Sequence, residues 1–165
     1  MSPLVNKEPL IDAVLFDFGG VVTTSPFEAF SRYENEIGAP PDSIRRINST
    51  NPDNNAWAKM ERSEVTISEF CKLFEAEATD LGLEMSGQKV LDCLSGNVRP
   101  QMVRAIKILQ KRVRIGCITN NMKSGHGAGM ARSSEQAASV AQIMQMFEVV
   151  VESAKVGIRK PDVRI

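Results

Sequence analysis

An excess of charge of either sign is what this chain lacks first: 20 basic side chains balance 20 acidic ones. A balanced chain has no electrostatic footprint for nucleic acid or for an anionic membrane surface. Long apolar runs are missing too, and no stretch reaches the length needed to span a bilayer. Met1 to Glu8 has no basic region followed by an apolar segment, so it does not read as a secretory signal. The expectation is a cytoplasmic protein with neither a nucleic-acid nor a membrane partner. Cysteine is scarce. Cys71, Cys93 and Cys117 are odd in number and widely spaced, and fit neither a disulfide framework nor a zinc pattern. Reduced, partly buried thiols are expected. Histidine occurs once, as His126, in a Gly-, Ser- and Met-rich stretch from Lys123 to Arg132 that reads as a mobile loop. It receives no catalytic role. Gly125 to Gly129 lacks the lysine and the preceding strand of a phosphate loop. The 165 residues suffice for one domain, or for a core with a small insertion.

What is present begins with Ala13-Val14-Leu15-Phe16, an apolar run that reads as a strand buried on both faces. It stops at Asp17, and Gly19 and Gly20 follow at once. A carboxylate at the carboxyl end of a strand lies where open α/β sheets bind ligands. It is a candidate nucleophile, with glycine-freed amides beside it to hold an anion. Residues 25 to 97 then read as almost entirely helical. Ser25-Pro26-Phe27-Glu28 and Thr66-Ile67-Ser68-Glu69 have the form of capping boxes, and Gly38, Gly82 and Gly96 serve as stops. Further helices are expected over Asp42 to Ile47, Asn55 to Arg62 and Ser86 to Leu94. The pattern changes after Arg99-Pro100. A helix carrying Val103, Ile106 and Leu109 leads to a strand over Val113 to Ile118, which ends at Thr119-Asn120-Asn121. A helix over Ser133 to Met146 and a strand over Val149 to Val151 follow, then Glu152 to Asp162, which contains Lys160.

Strands alternating with helices predict an α/β fold with a parallel, Rossmann-like sheet. The helical block interrupts it after the first strand. The expected organisation is a core of residues 1–24 and 98–165 with a helical cap of residues 25–97. In a parallel sheet the three strand ends share one edge, so Asp17, Thr119 with Asn120, and Lys160 converge. Such a set suits a phosphoryl group. The carboxylate attacks phosphorus in line, hydroxyl and amides hold the equatorial oxygens, and lysine offsets the negative charge.

These segments resemble the haloacid dehalogenase (HAD)-like hydrolase superfamily. The matching stretches are Val14 to Val22, Ile118 to Asn121 and Val156 to Asp162, in that order, with a cap between the first two. Within it the chain is most similar to the branch of sugar-phosphate phosphatases and the N-terminal phosphatase domain of soluble epoxide hydrolases. The resemblance implies magnesium-dependent hydrolysis of a small phosphorylated metabolite. Asp17 matches the nucleophile that forms an aspartyl-phosphate, Thr119 the phosphoryl-binding hydroxyl, and Lys160 the lysine that stabilises the intermediate. Phe18, Gly19, Gly20 and Asn120 match the substrate-binding surroundings. Asp17 and the Gly19 carbonyl match metal ligands.

Two departures stand out. Position 19 usually carries a second aspartate acting as general acid and base, and glycine has no side chain for that task. Loss of such a group costs about 10²–10⁴ in rate. The acidic fourth motif is also absent before Ile165, so the core is expected to be incomplete at its C-terminus, as in a truncated product. Two rival expectations follow: a non-catalytic remnant that binds a phosphorylated ligand or partner, and carbon–halogen hydrolysis by Asp17. Trp57, Met60, Glu61 and Arg62 read as core and surface residues of the cap, and Arg45-Arg46 as a solvated face. The eight methionines read as core filler.

Overall fold

Three short strands carry the residues of interest, and their register decides what those residues can reach. The structure, a computed structural model, describes residues 11–122 and 133–165. The readings of Met1 to Glu8 and of Lys123 to Arg132, His126 included, lie outside the described residues. Strands β1 (Ala13–Phe16), β2 (Arg114–Thr119) and β3 (Val149–Glu152) pair in parallel in the order β1-β2-β3. Ala13 to Phe16 stand opposite Arg114 to Cys117, and Gly116 to Thr119 stand opposite Val149 to Glu152. Parallel neighbours need crossover connections. Between β1 and β2 run α1 (Phe27–Glu36), α2 (Ser43–Ser49), α3 (Ala56–Glu61), α4 (Ile67–Asp80), α5 (Gly87–Asp92) and α6 (Pro100–Leu109). α7 (Ser134–Met144) joins β2 to β3, and α8 (Ser153–Val156) follows β3 directly. The carboxyl ends of all three strands therefore lie on one edge. Among the described residues no helix is long and apolar enough to cross a membrane.

The α/β expectation holds, but burial of β1 does not match it on both sides. Phe16, Ile115 and Cys117 pack with Ile106 of α6 and with Val140, Ile143 and Phe147 of the α7 region. The Phe16 and Phe147 rings meet at 5.7 Å. The row Leu15, Gly116 and Val149 lies on the opposite face. There Leu15 is 66% exposed and Val149 55% exposed. An apolar run alone does not say whether both faces of a strand are covered.

A second cluster occupies residues 30–94. It contains Phe30, Ile44, Ile47, Met60, Phe70, Phe74 and Val90, and Met122 joins it from beyond β2. Each large apolar side chain fully buried there contributes about 1.5–3 kcal/mol. The short helices α2, α3 and α5 are fastened by acidic side chains from α1 and α4. Glu34 accepts from the N–H groups of Asp42 (3.0 Å) and Ile44 (2.9 Å). Glu77 accepts from Ala56 N–H at 2.7 Å, and Glu75 from Gly87 N–H at 3.0 Å. These bonds satisfy amide donors that a helix start leaves without partners. The box expected at Thr66 and Glu69 closes as read. At the other expected box α1 begins later, at Phe27, whose N–H donates to Ser25 Oγ at 3.3 Å.

The block and the sheet are joined by two chain segments lying side by side. Thr23 and Val98 form an antiparallel bridge, Thr24 N–H donates to Asn97 O (2.8 Å) and Arg99 N–H to Val22 O (2.9 Å). Gly96 permits this approach, because a Cβ there would sit 2.7 Å from Thr24 O.

Candidate active site

Asp17, at the end of β1, places Oδ2 2.7 Å from Lys160 Nζ, while Oδ1 accepts from Phe18 N–H at 2.7 Å. Lys160 Nζ also donates to Ile118 O at 3.0 Å. The lysine is aimed by Asn120. Asn120 Oδ1 accepts from Lys160 N–H at 2.8 Å, and Asn120 Nδ2 donates to Lys160 O at 3.2 Å. One side-chain amide thus grips the lysine backbone on both sides, from the end of the neighbouring strand. Asp17, Asn120 and Lys160 come together, with Asn120 clamping Lys160, but Lys160 is not at a strand end as expected: β3 stops at Glu152, and Lys160 follows α8.

Thr119 is fully buried and lines a cavity of about 160 Å³ between the strand ends and the helical block. Phe18, Gly19 and Asn120 share that lining, together with Thr23, Pro26, Trp57, Glu61, Leu94, Asn121 and Met122. The Phe18 side chain belongs to the core, and its carbonyl accepts from Val22 N–H (2.8 Å) and Thr23 N–H (3.1 Å), which closes the turn. Gly20 takes a positive φ of 79° in that turn, a conformation glycine adopts without steric cost. Gly19 does not: a Cβ built there meets nothing within 4 Å. Space for a side chain at position 19 exists, and the chain leaves it empty.

Two residues that the sequence reading gave no site role take part. Glu61, at the end of α3, is 8% exposed and stands in the cavity wall. Its Oε2 accepts from Arg159 Nε at 2.6 Å and from Asn120 Nδ2 at 3.3 Å, and its Oε1 accepts from Trp57 Nε1 at 3.1 Å. Burial pushes the Glu61 carboxyl above the usual carboxylate range, opposed by the Arg159 charge and hydrogen bond. The available signal was the Trp57–Glu61 spacing, one helical turn apart on α3. Asn121 is the second. Its Nδ2 donates to Glu152 Oε2 at 2.6 Å and its Oδ1 accepts from Ala154 N–H at 3.2 Å, which ties the end of β2 to the start of α8. Cys117 lies in the core beside the site. Burial first, and the Asp17 charge second, push its thiol up to about 12.

Among the described residues no group of three or more His, Cys, Asp or Glu side chains comes together as a metal site. Magnesium typically keeps several waters and binds through one or two carboxylates plus substrate phosphates. The Asp17 carboxylate and the Gly19 carbonyl fit that donor set only when a phosphoryl group supplies further oxygens.

No protein-family model matches the chain. It is 27% identical over 159 residues to a segment of acyl-CoA dehydrogenase family member 10 from Mus musculus. The match covers 93% of this chain, which spans 14% of that protein's length. Among solved structures it is similar to a predicted HAD-like family hydrolase from Porphyromonas gingivalis, with TM-score 0.55 and 18% identity. That match covers 93% of this chain and 72% of the other. A HAD family enzyme from Bacteroides thetaiotaomicron, in complex with magnesium and inorganic phosphate, gives TM-score 0.52 at 16% identity, covering 92% and 73%. L-2-haloacid dehalogenase from Xanthobacter autotrophicus, with chloropropionic acid covalently bound, gives 0.54 at 14%, covering 93% and 61%. The fold of this chain is that of the HAD-like hydrolases.

Proposed function

We propose that this chain is a phosphoryl-transfer hydrolase that carries the phosphoryl group of a small phosphomonoester on Asp17. The observation that carries the reading is the 2.7 Å contact of Lys160 with Asp17, beside buried Thr119 at the same sheet edge. A carboxylate and a phosphate repel, and a cation held against the nucleophile lowers that barrier in a partly desolvated site. In the first step an Asp17 oxygen attacks phosphorus, the bond to the leaving oxygen breaks, and that oxygen takes a proton from water. In the second, water attacks the aspartyl-phosphate, phosphate departs and the carboxylate returns. Lys160 offsets the charge in both steps; the Gly19 N–H is a donor for phosphoryl oxygens, and the Thr119 hydroxyl becomes one by turning from Asn120 O, to which it donates at 3.3 Å. When bound, magnesium would neutralise phosphoryl charge, held by Asp17 and the Gly19 carbonyl. Residues 25–97 act as a cap that closes the cavity over the leaving group.

The test is turnover of p-nitrophenyl phosphate with added magnesium, comparing the wild type with Asp17→Asn. Metal-dependent turnover lost in the variant is the expected result. Turnover that is absent, or equal in the two proteins, contradicts the reading. One observation favours a second reading: position 19 has room for an acid and carries none. In that reading the chain binds a phosphorylated ligand without hydrolysing it, and calorimetry with inorganic phosphate would show binding where no turnover occurs. 2-Chloropropionate serves as the control for carbon–halogen hydrolysis, with no halide release expected.

A further inference from the structure

We infer that Glu61 selects the leaving group. The substrates are small phosphomonoesters whose leaving group carries no negative charge and offers a hydrogen-bond donor, a hydroxyl or an ammonium. This rests on the phosphoryl-transfer reading and adds the substrate class to it.

The cavity wall supplies the reasons. Glu61 is the single ionisable side chain among its described lining residues. The lining also holds Pro26, Leu94 and Met122, which offer apolar contact only, and Trp57, whose one polar group is engaged by Glu61. A carboxylate has about four acceptor positions on its two oxygens. Three are occupied, by Arg159 Nε, Asn120 Nδ2 and Trp57 Nε1, so about one remains for a ligand. The same three donors fix the side chain, so it does not swing away from an unsuitable ligand. Contact with the Arg159 guanidinium at 2.6 Å is the contact of an ionised carboxylate. Arg159 approaches from behind. It is absent from the cavity lining, and its NH1 group donates to Pro52 O at 2.8 Å. An anionic leaving group would therefore meet the carboxylate edge of an ion pair whose cation lies on the far side, whereas a hydroxyl or ammonium would find an acceptor. Like charges brought together in this way are a strong means of rejecting a partner. Size adds a second limit. At roughly 30 Å³ per water, the cavity's 160 Å³ holds about five waters. That is well below the range of about 300–1,000 Å³ typical of sites for drug-sized ligands.

Three esters matched in size test the inference: ethanolamine phosphate, 2-hydroxyethyl phosphate and phosphoglycolate. Their kcat/KM values are compared at mildly alkaline pH with magnesium, for the wild type, Glu61→Gln and Glu61→Asp. The wild type is expected to prefer the cationic and neutral esters over phosphoglycolate by about tenfold or more. Glu61→Gln removes most of that ratio, and Glu61→Asp, which keeps the charge, retains it. Equal kcat/KM for the three esters in the wild type overturns the inference and leaves the phosphatase reading standing. An unchanged ratio in Glu61→Gln also overturns it. If Glu61→Gln does not fold, the wild-type ratio and the aspartate variant decide. No turnover of any ester, with Asp17→Asn indistinguishable from the wild type, overturns both readings.

Discussion

Gly19 concentrates the chemical question at the scale of one residue. Its backbone does not require glycine, and a Cβ there meets nothing within 4 Å. On the phosphoryl-transfer reading, an aspartate here, two residues from Asp17, would serve to protonate the leaving oxygen. Gly19→Asp is expected to raise kcat/KM for alkyl phosphates, up to the order of 10²–10⁴, with a smaller gain on p-nitrophenyl phosphate. Steady-state kinetics on both substrates measures it, and equal gains on the two would contradict a role in protonation. Glu61 gives a second prediction at this scale. Burial raises its carboxyl in the fold, so the folded chain binds its proton more tightly than the unfolded chain. Such a group contributes stability at low pH that is lost as pH rises through the folded value. The stability of the wild type relative to Glu61→Gln should therefore increase as pH falls from neutrality toward 4.5. Urea denaturation of both proteins across that range checks the sign.

Short helices dominate at the scale of elements, and helices this short are not stable alone. α2 begins where Glu34 of α1 accepts two backbone N–H groups, and Glu34 is buried there. Glu34→Ala leaves two donors without a partner, at about 1–3 kcal/mol each. The urea midpoint should fall accordingly, while a control such as Glu36→Ala at an exposed position changes it little. The two kinds of element were not equally readable from sequence. β1 occupies the residues read from it, because an apolar run stopped by Asp17 and two glycines carries both a strand signal and a turn signal. The Thr66–Glu69 box was readable because its partners are three residues apart. The helix-start bonds of Glu34, Glu75 and Glu77 were not, since their partners lie on other helices and no spacing rule reaches them. α8 has four residues, too few for a periodicity to show. Site residues divide in the same way. Asp17, Thr119 and Lys160 sit in local motifs. The Glu61–Arg159 contact joins positions far apart in the chain and exists only once the helical block has packed against the strand ends.

At the scale of the whole molecule, the described residues form two apolar clusters joined by paired chain segments, with the cavity between them. Met122 gives the block one apolar contact from the sheet side, and polar contacts add to it. Glu61 bonds Arg159 and Asn120, and Ser63 Oγ donates to Ala154 O at 3.1 Å. The sheet face bearing Leu15 and Val149 is exposed, and exposed apolar strands promote self-association. Leu15→Lys should lower light scattering at high protein concentration and shift the unfolding midpoint by no more than about 0.5 kcal/mol. Unchanged scattering would remove that face as the source of association.

The central claim is that Asp17 accepts a phosphoryl group, and trapping that group tests it most directly. The chain is incubated with radiolabelled acetyl phosphate and magnesium, quenched in acid and separated from free label. The account predicts covalent label on the wild type that hydroxylamine removes, as expected of an acyl phosphate, and no label on Asp17→Asn. Label that persists in Asp17→Asn, or a wild type that takes up none, would contradict it.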